Sequence, residues 1–175
     1  MNNTGLNLAK SQTDAFHKAF GHKYSESPIL LSKEEVGIRV KFIVEELVEA
    51  LKVVAEDQVD FYQLNNKYIF EALEAAEGKE EEKGFAPTTD LEKMIGLIDA
   101  FTDINVFNQG TFTIMGASPQ EFYDIVMNAN MAKLGEDGKP IIRESDGKIM
   151  KPENWERDHA PEPKIKEELL RQLKK

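Results

Sequence analysis

Residues 37–54 read GIRVKFIVEELVEALKVV, and the reading of this stretch decides the fold. Together with Val36, the residues Val40, Ile43, Leu47, Leu51 and Val54 recur three or four apart, the stripe of an amphipathic helix. Ser32 followed three residues later by Glu35 is a capping box. A helix is therefore predicted over 33–57. Glu45, Glu46 and Glu49 lie almost opposite the stripe. At about 100° per residue, Glu45 and Glu49 project within about 40° of each other, with Glu46 roughly 60° further round.

A second acidic cluster, Asp99-Ala100-Phe101-Thr102-Asp103, falls in another predicted helix, 91–115, with Leu91, Met94, Ile95, Ile98 and Phe101 inward. Asp99 and Asp103 again share a face. Two helices packed with these faces together would gather up to five carboxylates. Like charges at roughly 5 Å repel by about 3 kcal/mol at an effective dielectric near 20, so such a cluster calls for a cation. Oxygen-only ligands suit a hard divalent ion, Mg²⁺ first and Mn²⁺ as an alternative. The bland alternative, a solvated helix face, stays open. Three features weigh against it: neither cluster has a lysine four residues on, Val48 and Ala50 lie off the main stripe, and Thr102, Asn105 and Gln109 sit near the direction of Ile98.

The rest of the chain reads as more helix. Leu8–Phe20 forms a first short helix, and Phe61, Leu64, Tyr68, Ile69 and Leu73 suggest one that ends in a charged loop over 77–84. Thr89 with Glu92 is a second capping box, and Gly116 ends the helix it starts. Ser118-Pro119-Gln120-Glu121 combines an N-cap with a proline at the first helical position, opening a helix that reaches about Lys133. Segments 140–143 and 148–151 flank Ser145-Asp146-Gly147 and read as a hairpin with too little core to fold alone. Residues 152–163 read as irregular, and Ile165, Leu169, Leu170 and Leu173 suggest a terminal helix. The fold class is all-α, a helical bundle with a small C-terminal β-hairpin.

The chain's 175 residues, 41% of them hydrophobic, suffice for one domain. Its net charge of −10 speaks against a nucleic acid polymer as partner, since phosphate contacts need a basic footprint. A nucleotide remains possible where a metal supplies positive charge. With no cysteine there is neither disulfide nor thiolate chemistry. No apolar run approaches the ~20 residues of a membrane span and the first ten residues lack a signal-peptide core, so a cytoplasmic protein is expected. A di-iron carboxylate bundle needs two Glu-x-x-His motifs; the sequence has one, Glu156 to His159, in the irregular stretch. His17, His22 and His159 show no convergent spacing, and Asp14 with His17 reads as a helix-surface pair.

Four stretches, AFHKAFG (15–21), GIRVKFIVEELVEALKV (37–53), DAFTDINVFNQGT (99–111) and VMNANMAKLGEDGKPIIRESDGKIMKPENW (126–155), together resemble the all-α nucleoside triphosphate pyrophosphohydrolases, the MazG-like and phosphoribosyl-ATP pyrophosphohydrolase-like proteins. The resemblance implies a single domain over 1–175, with 57–89 an insertion and 135–175 the hairpin and tail. It also implies a Mg²⁺-dependent enzyme cleaving a nucleoside triphosphate between the α- and β-phosphates to a monophosphate and pyrophosphate. Glu45, Glu46 and Glu49 match the family's EExxE element, and Asp103 the aspartate of its ExxD element. Ala100 stands in that element's glutamate place, with Asp99 one residue earlier.

On this resemblance Glu46, Glu49, Asp99 and Asp103 are metal ligands, and Glu45 or Glu46 is the general base. Arg39, Lys133 and Lys139 are candidates for the outer phosphates. Asn105, Gln109 and Asn130 are candidates to read base or sugar. One copy leaves a face of the acidic helix uncovered, which predicts a homodimer or higher homo-oligomer. Deoxyuridine, deoxycytidine or other triphosphates fit as substrates. Phosphoribosyl-ATP or an alarmone is the alternative substrate, and a non-catalytic nucleotide- or protein-binding bundle, favoured by Ala100, is the alternative class.

Overall fold

The computed structural model describes residues 4–83, 89–145 and 148–174. In chain order it contains α1 (Leu6–Ala19), α2 (Lys33–Val54), α3 (Gln58–Asn65), a π-helical turn (Asn66–Phe70), α4 (Glu71–Lys83), α5 (Asp90–Met115), α6 (Pro119–Met131), β1 (Ile141–Ile142), β2 (Ile149–Met150), α7 (Trp155–Asp158) and α8 (Pro161–Gln172). The contacts divide the chain into two compact units, residues 29–99 and residues 1–28 with 100–175.

In the 29–99 unit the expected capping box forms. Ser32 Oγ accepts from Glu35 N–H at 3.2 Å, and Ser32 N–H donates to Glu35 Oε2 at 2.8 Å. This satisfies amides that have no partner within the helix. α2 stops at Val54, short of the expected Asp57. The reason is local: Asp57 caps α3 instead, its Oδ1 accepting from Val59 and Asp60 N–H at 2.8 and 2.9 Å. α2 packs on α3.

The loop expected over 77–84 is helical as far as Lys83; Gly84 lies outside the described residues. Every residue of α4 is exposed, and Lys83 Nζ pairs with Glu80 Oε1 at 2.7 Å. A helix polar on all sides draws on such pairs more than on packing. The second capping box also forms, Thr89 N–H donating to Glu92 Oε2 at 2.7 Å and Glu92 N–H to Thr89 Oγ1 at 3.2 Å. The apolar stripes are incompletely covered: Leu47 on α2 and Ile95 and Ile98 on α5 are 51%, 58% and 59% exposed.

In the other unit α1 lies against α6. Thr13 Oγ1 and Tyr123 Oη are 2.7 Å apart, and Gln12 Nε2 donates to Asp124 Oδ1 at 2.8 Å. Phe20 is buried, with the Phe16 ring tilted against it at 4.4 Å between centres. The expected Asp14–His17 pair does not form: Asp14 pairs with Lys10 at 2.6 Å, and His17 Nδ1 lies 2.7 Å from the Lys23 carbonyl. Gly116, at φ 67°, ends α5 as the sequence suggests. Ser118 does not cap α6 with its side chain. Instead Gln172 of α8 holds the backbone of Ser118, accepting from its N–H at 2.8 Å and donating to its carbonyl at 3.1 Å.

Part of the stretch read as irregular is also helical. α7 is a single turn, and α8 begins at Pro161, where a missing N–H costs nothing. α6 ends at Met131 rather than Lys133. The hairpin pairs Ile141 with Met150 and Ile142 with Ile149, antiparallel as expected. Asp146 and Gly147 of its expected turn lie outside the described residues. A tighter turn precedes it, closed by Gly135 N–H on the Lys139 carbonyl at 2.7 Å, with Gly138 at φ 73° where a side chain would be strained.

Candidate active site

The helical rise sets the acidic residues out as expected along their own helices. Glu45, Glu46 and Glu49 are exposed on α2, and Asp99 and Asp103 are exposed one turn apart on α5. Lys41 Nζ lies 3.7 Å from Glu45 Oε1, so this glutamate does have a basic neighbour, one turn before it rather than after. The pair is solvent-exposed and weak. Among the described residues Glu46, Glu49, Asp99 and Asp103 have no ion-pair partner. Among those residues, too, no group of three or more His, Cys, Asp or Glu side chains stands together to hold a metal. The donor chemistry fits a hard divalent cation, since every candidate offers carboxylate oxygen.

The polar residues of α5 do not line a buried face. Asn105 and Gln109 are exposed, and Asn105 Nδ2 turns back to the Phe101 carbonyl at 3.0 Å. The expectation counted helical direction alone, and burial needs a covering element. Arg39 is exposed on α2, its guanidinium 5.7 Å from the Phe42 ring centre. Lys139 is exposed in the turn before β1.

Asn130 and Lys133 do come together, Lys133 Nζ donating to Asn130 Oδ1 at 2.7 Å. Beside them are two residues that the sequence reading passed over. Trp155 is 4% exposed, and its Nε1 donates to the Ala129 carbonyl of α6 at 2.9 Å. Lys151 Nζ lies 4.0 Å from the indole centre and Lys133 Nζ 5.8 Å from it. Burial, and secondly the charge of Lys151, hold the Lys133 ammonium below the ordinary lysine range. The available signal was the chain's single tryptophan, four residues after a lysine in a polar stretch. An open groove of about 590 Å³ along α3 and the π-helical turn, lined by Val59, Tyr62, Gln63, Asn66, Lys67 and Glu71, includes none of the expected site residues.

The phosphoribosyl-ATP pyrophosphohydrolase family model matches residues 13–130, which take in both acidic clusters. This chain belongs to that family. A crystal structure from Exiguobacterium sp. 255-15, of a candidate NTP pyrophosphohydrolase, is similar with 35% sequence identity and a TM-score of 0.84. The likeness covers 95% of this chain and 96% of that one. It therefore extends past residue 130 into the hairpin and tail. A comparison with curated proteins finds no match. Family and neighbour point to a nucleotide pyrophosphohydrolase of the all-α type. No described helix is long and apolar enough to cross a membrane.

Proposed function

We propose that this phosphoribosyl-ATP pyrophosphohydrolase-family protein is a Mg²⁺-dependent nucleoside triphosphate pyrophosphohydrolase, cleaving between the α- and β-phosphates to a nucleoside monophosphate and pyrophosphate. The observation that carries the reading is that Glu46, Glu49, Asp99 and Asp103, on the two longest described helices of a family member, have no ion-pair partner among the described residues. Carboxylates aligned in this way without basic partners suit a cation-binding role.

In this reading those four residues hold the metal. What a bound Mg²⁺ supplies is neutralisation of phosphoryl oxygens and acidification of a water. Glu45 or Glu46 takes the proton of the attacking water. Lys133, Lys139 and Arg39 attract the outer phosphates, while Asn105, Gln109 and Asn130 hydrogen-bond base or sugar.

The active form is a homodimer or higher homo-oligomer in the cytoplasm. What supports association is the apolar surface left open on α5, where Val106 and Phe107 are 59% and 76% exposed. Burying a large apolar side chain contributes about 1.5–3 kcal/mol, which favours a second copy as the cover for this helix and offsets part of the cost of association. The family's name favours phosphoribosyl-ATP as a second substrate reading.

A panel of ribo- and deoxyribonucleoside triphosphates and phosphoribosyl-ATP, with Mg²⁺ or with EDTA, tests the proposal. Monophosphate and pyrophosphate as first products, only with metal, are expected. Turnover in EDTA, or diphosphate and orthophosphate as first products, would refute it. Nucleotide binding without any turnover would point to the non-catalytic alternative.

A further inference from the structure

We infer that Lys133 and Lys151, gathered at the indole of Trp155, form an anion site that takes the outer phosphates of the nucleotide, which rests on the hydrolase reading above. The charges around the indole carry the argument. Lys133 is half-buried, and its one hydrogen-bond acceptor is the neutral amide oxygen of Asn130 at 2.7 Å. Among the described residues no carboxylate pairs with it. Lys151 approaches the same ring and pairs with Glu156, Nζ to Oε1 at 2.6 Å. Among the described residues, two ammonium groups on one indole are thus matched by one carboxylate. That carboxylate belongs to a side chain 72% exposed, free to yield Lys151 to a stronger anion.

An indole face attracts a cation but neutralises nothing. A like-charge pair in a partly dehydrated place is unfavourable: burial first, and the Lys151 charge second, lower the proton affinity of Lys133. In a chain of net charge −10, acidic side chains were available to neutralise Lys133, and among the described residues none pairs with it. A bound anion removes the conflict. Ammonium groups on flexible stems suit phosphate oxygens as compact point charges. The site is built across distant parts of the sequence: Trp155 is tied to Ala129 one turn before Lys133, so the indole, Asn130 and both lysines keep their places together. The bland alternative is that Lys133 only serves the C-terminal end of α6, where a cation is favourable.

Trp155 is the only tryptophan, so fluorescence excited beyond the absorption band of the four tyrosines reads this site alone. The full-length protein is titrated with sodium tripolyphosphate without divalent metal, near neutral pH. A saturable change in emission is expected, weakening with added salt. Lys133→Gln and Lys151→Gln should each weaken it about ten-fold, the loss of one charge-assisted contact. With Mg²⁺ and a hydrolysed nucleotide, Lys151→Gln should raise KM about ten-fold and leave kcat within about two-fold.

No saturable change, or wild-type affinity in both variants, would overturn the site. Variants that lose thermal stability but keep wild-type affinity would give the lysines to helix capping and overturn it equally. Weakened tripolyphosphate binding with an unchanged nucleotide KM would overturn the assignment to substrate phosphates. A wild-type protein that hydrolyses no nucleotide rejects the hydrolase reading, while the tripolyphosphate titration still decides whether the anion site exists.

Discussion

Replacing Trp155 with phenylalanine isolates one link that holds the C-terminal tail to α6. The indole is 4% exposed and donates to the Ala129 carbonyl at 2.9 Å. The amide that would complete the helical ladder there, that of Lys133, turns instead to the Asn130 carbonyl at 3.1 Å. Phenylalanine keeps an aromatic face for Lys151 but has no donor. A buried carbonyl left without a partner costs about 1–3 kcal/mol. The missing part of the indole leaves a cavity worth about 1 kcal/mol more. The total of about 2–4 kcal/mol is a large share of a typical stability of about 5–15 kcal/mol. For a chain of this size it lowers Tm by roughly 5–15 °C. Thermal unfolding followed by far-UV circular dichroism, at one fixed protein concentration because association adds to stability, measures it. A Trp155→Phe midpoint within about 0.5 kcal/mol of wild type would refute the reasoning, since a change of that size is what an ordinary surface substitution produces.

Glu49→Gln and Asp103→Asn should each lower turnover at least about 100-fold without loss of helical content, since a lost ligand costs no less than a lost supporting contact; full activity in both, measured as pyrophosphate release, would remove them from the site. Ser32→Ala should cost about 1 kcal/mol by denaturant unfolding, because α2 loses its capping box; an unchanged midpoint would contradict the capping assignment. Lys133 titrates below the usual lysine value in the fold, burial being the first cause, so its charged form is disfavoured there. That penalty is fully present below the folded pKa and disappears as pH rises through it to the unfolded value of 10.5. The stability advantage of Lys133→Met over wild type should therefore shrink as pH is raised toward that value, and a gap independent of pH would show that Lys133 carries no such strain.

Much of the architecture was legible because its causes are short-range. Ser32 with Glu35 and Thr89 with Glu92 are three residues apart, and each box forms where the letters place it. Gly116 stops α5 because a positive φ favours glycine, whatever else the chain does. The hairpin pairs Ile141 with Met150 as alternation around a turn requires. The end of α2 was misread although its cause is equally local: Asp57 caps the next helix rather than continuing its own. The acidic spacing on α2 and α5 was likewise readable, because a helix turns by the same angle per residue everywhere.

What the sequence by itself determined, then, is the mostly helical class, most helix starts, and which carboxylates share a face; the helix over 77–83 and the turns of helix within 152–163 were not among them. Tertiary structure decided what joins what. Trp155 reaches Ala129 across 26 residues, and Gln172 reaches Ser118 across 54, contacts that depend on the path of the chain and have no periodicity to read. The gathering of Asn130, Lys133, Lys151 and Trp155 into one basic corner follows from the first of those contacts. Coverage of Leu47, Ile95 and Ile98 was not readable either: an apolar stripe states that burial is favourable, while the surface that provides it belongs to whatever packs against the helix.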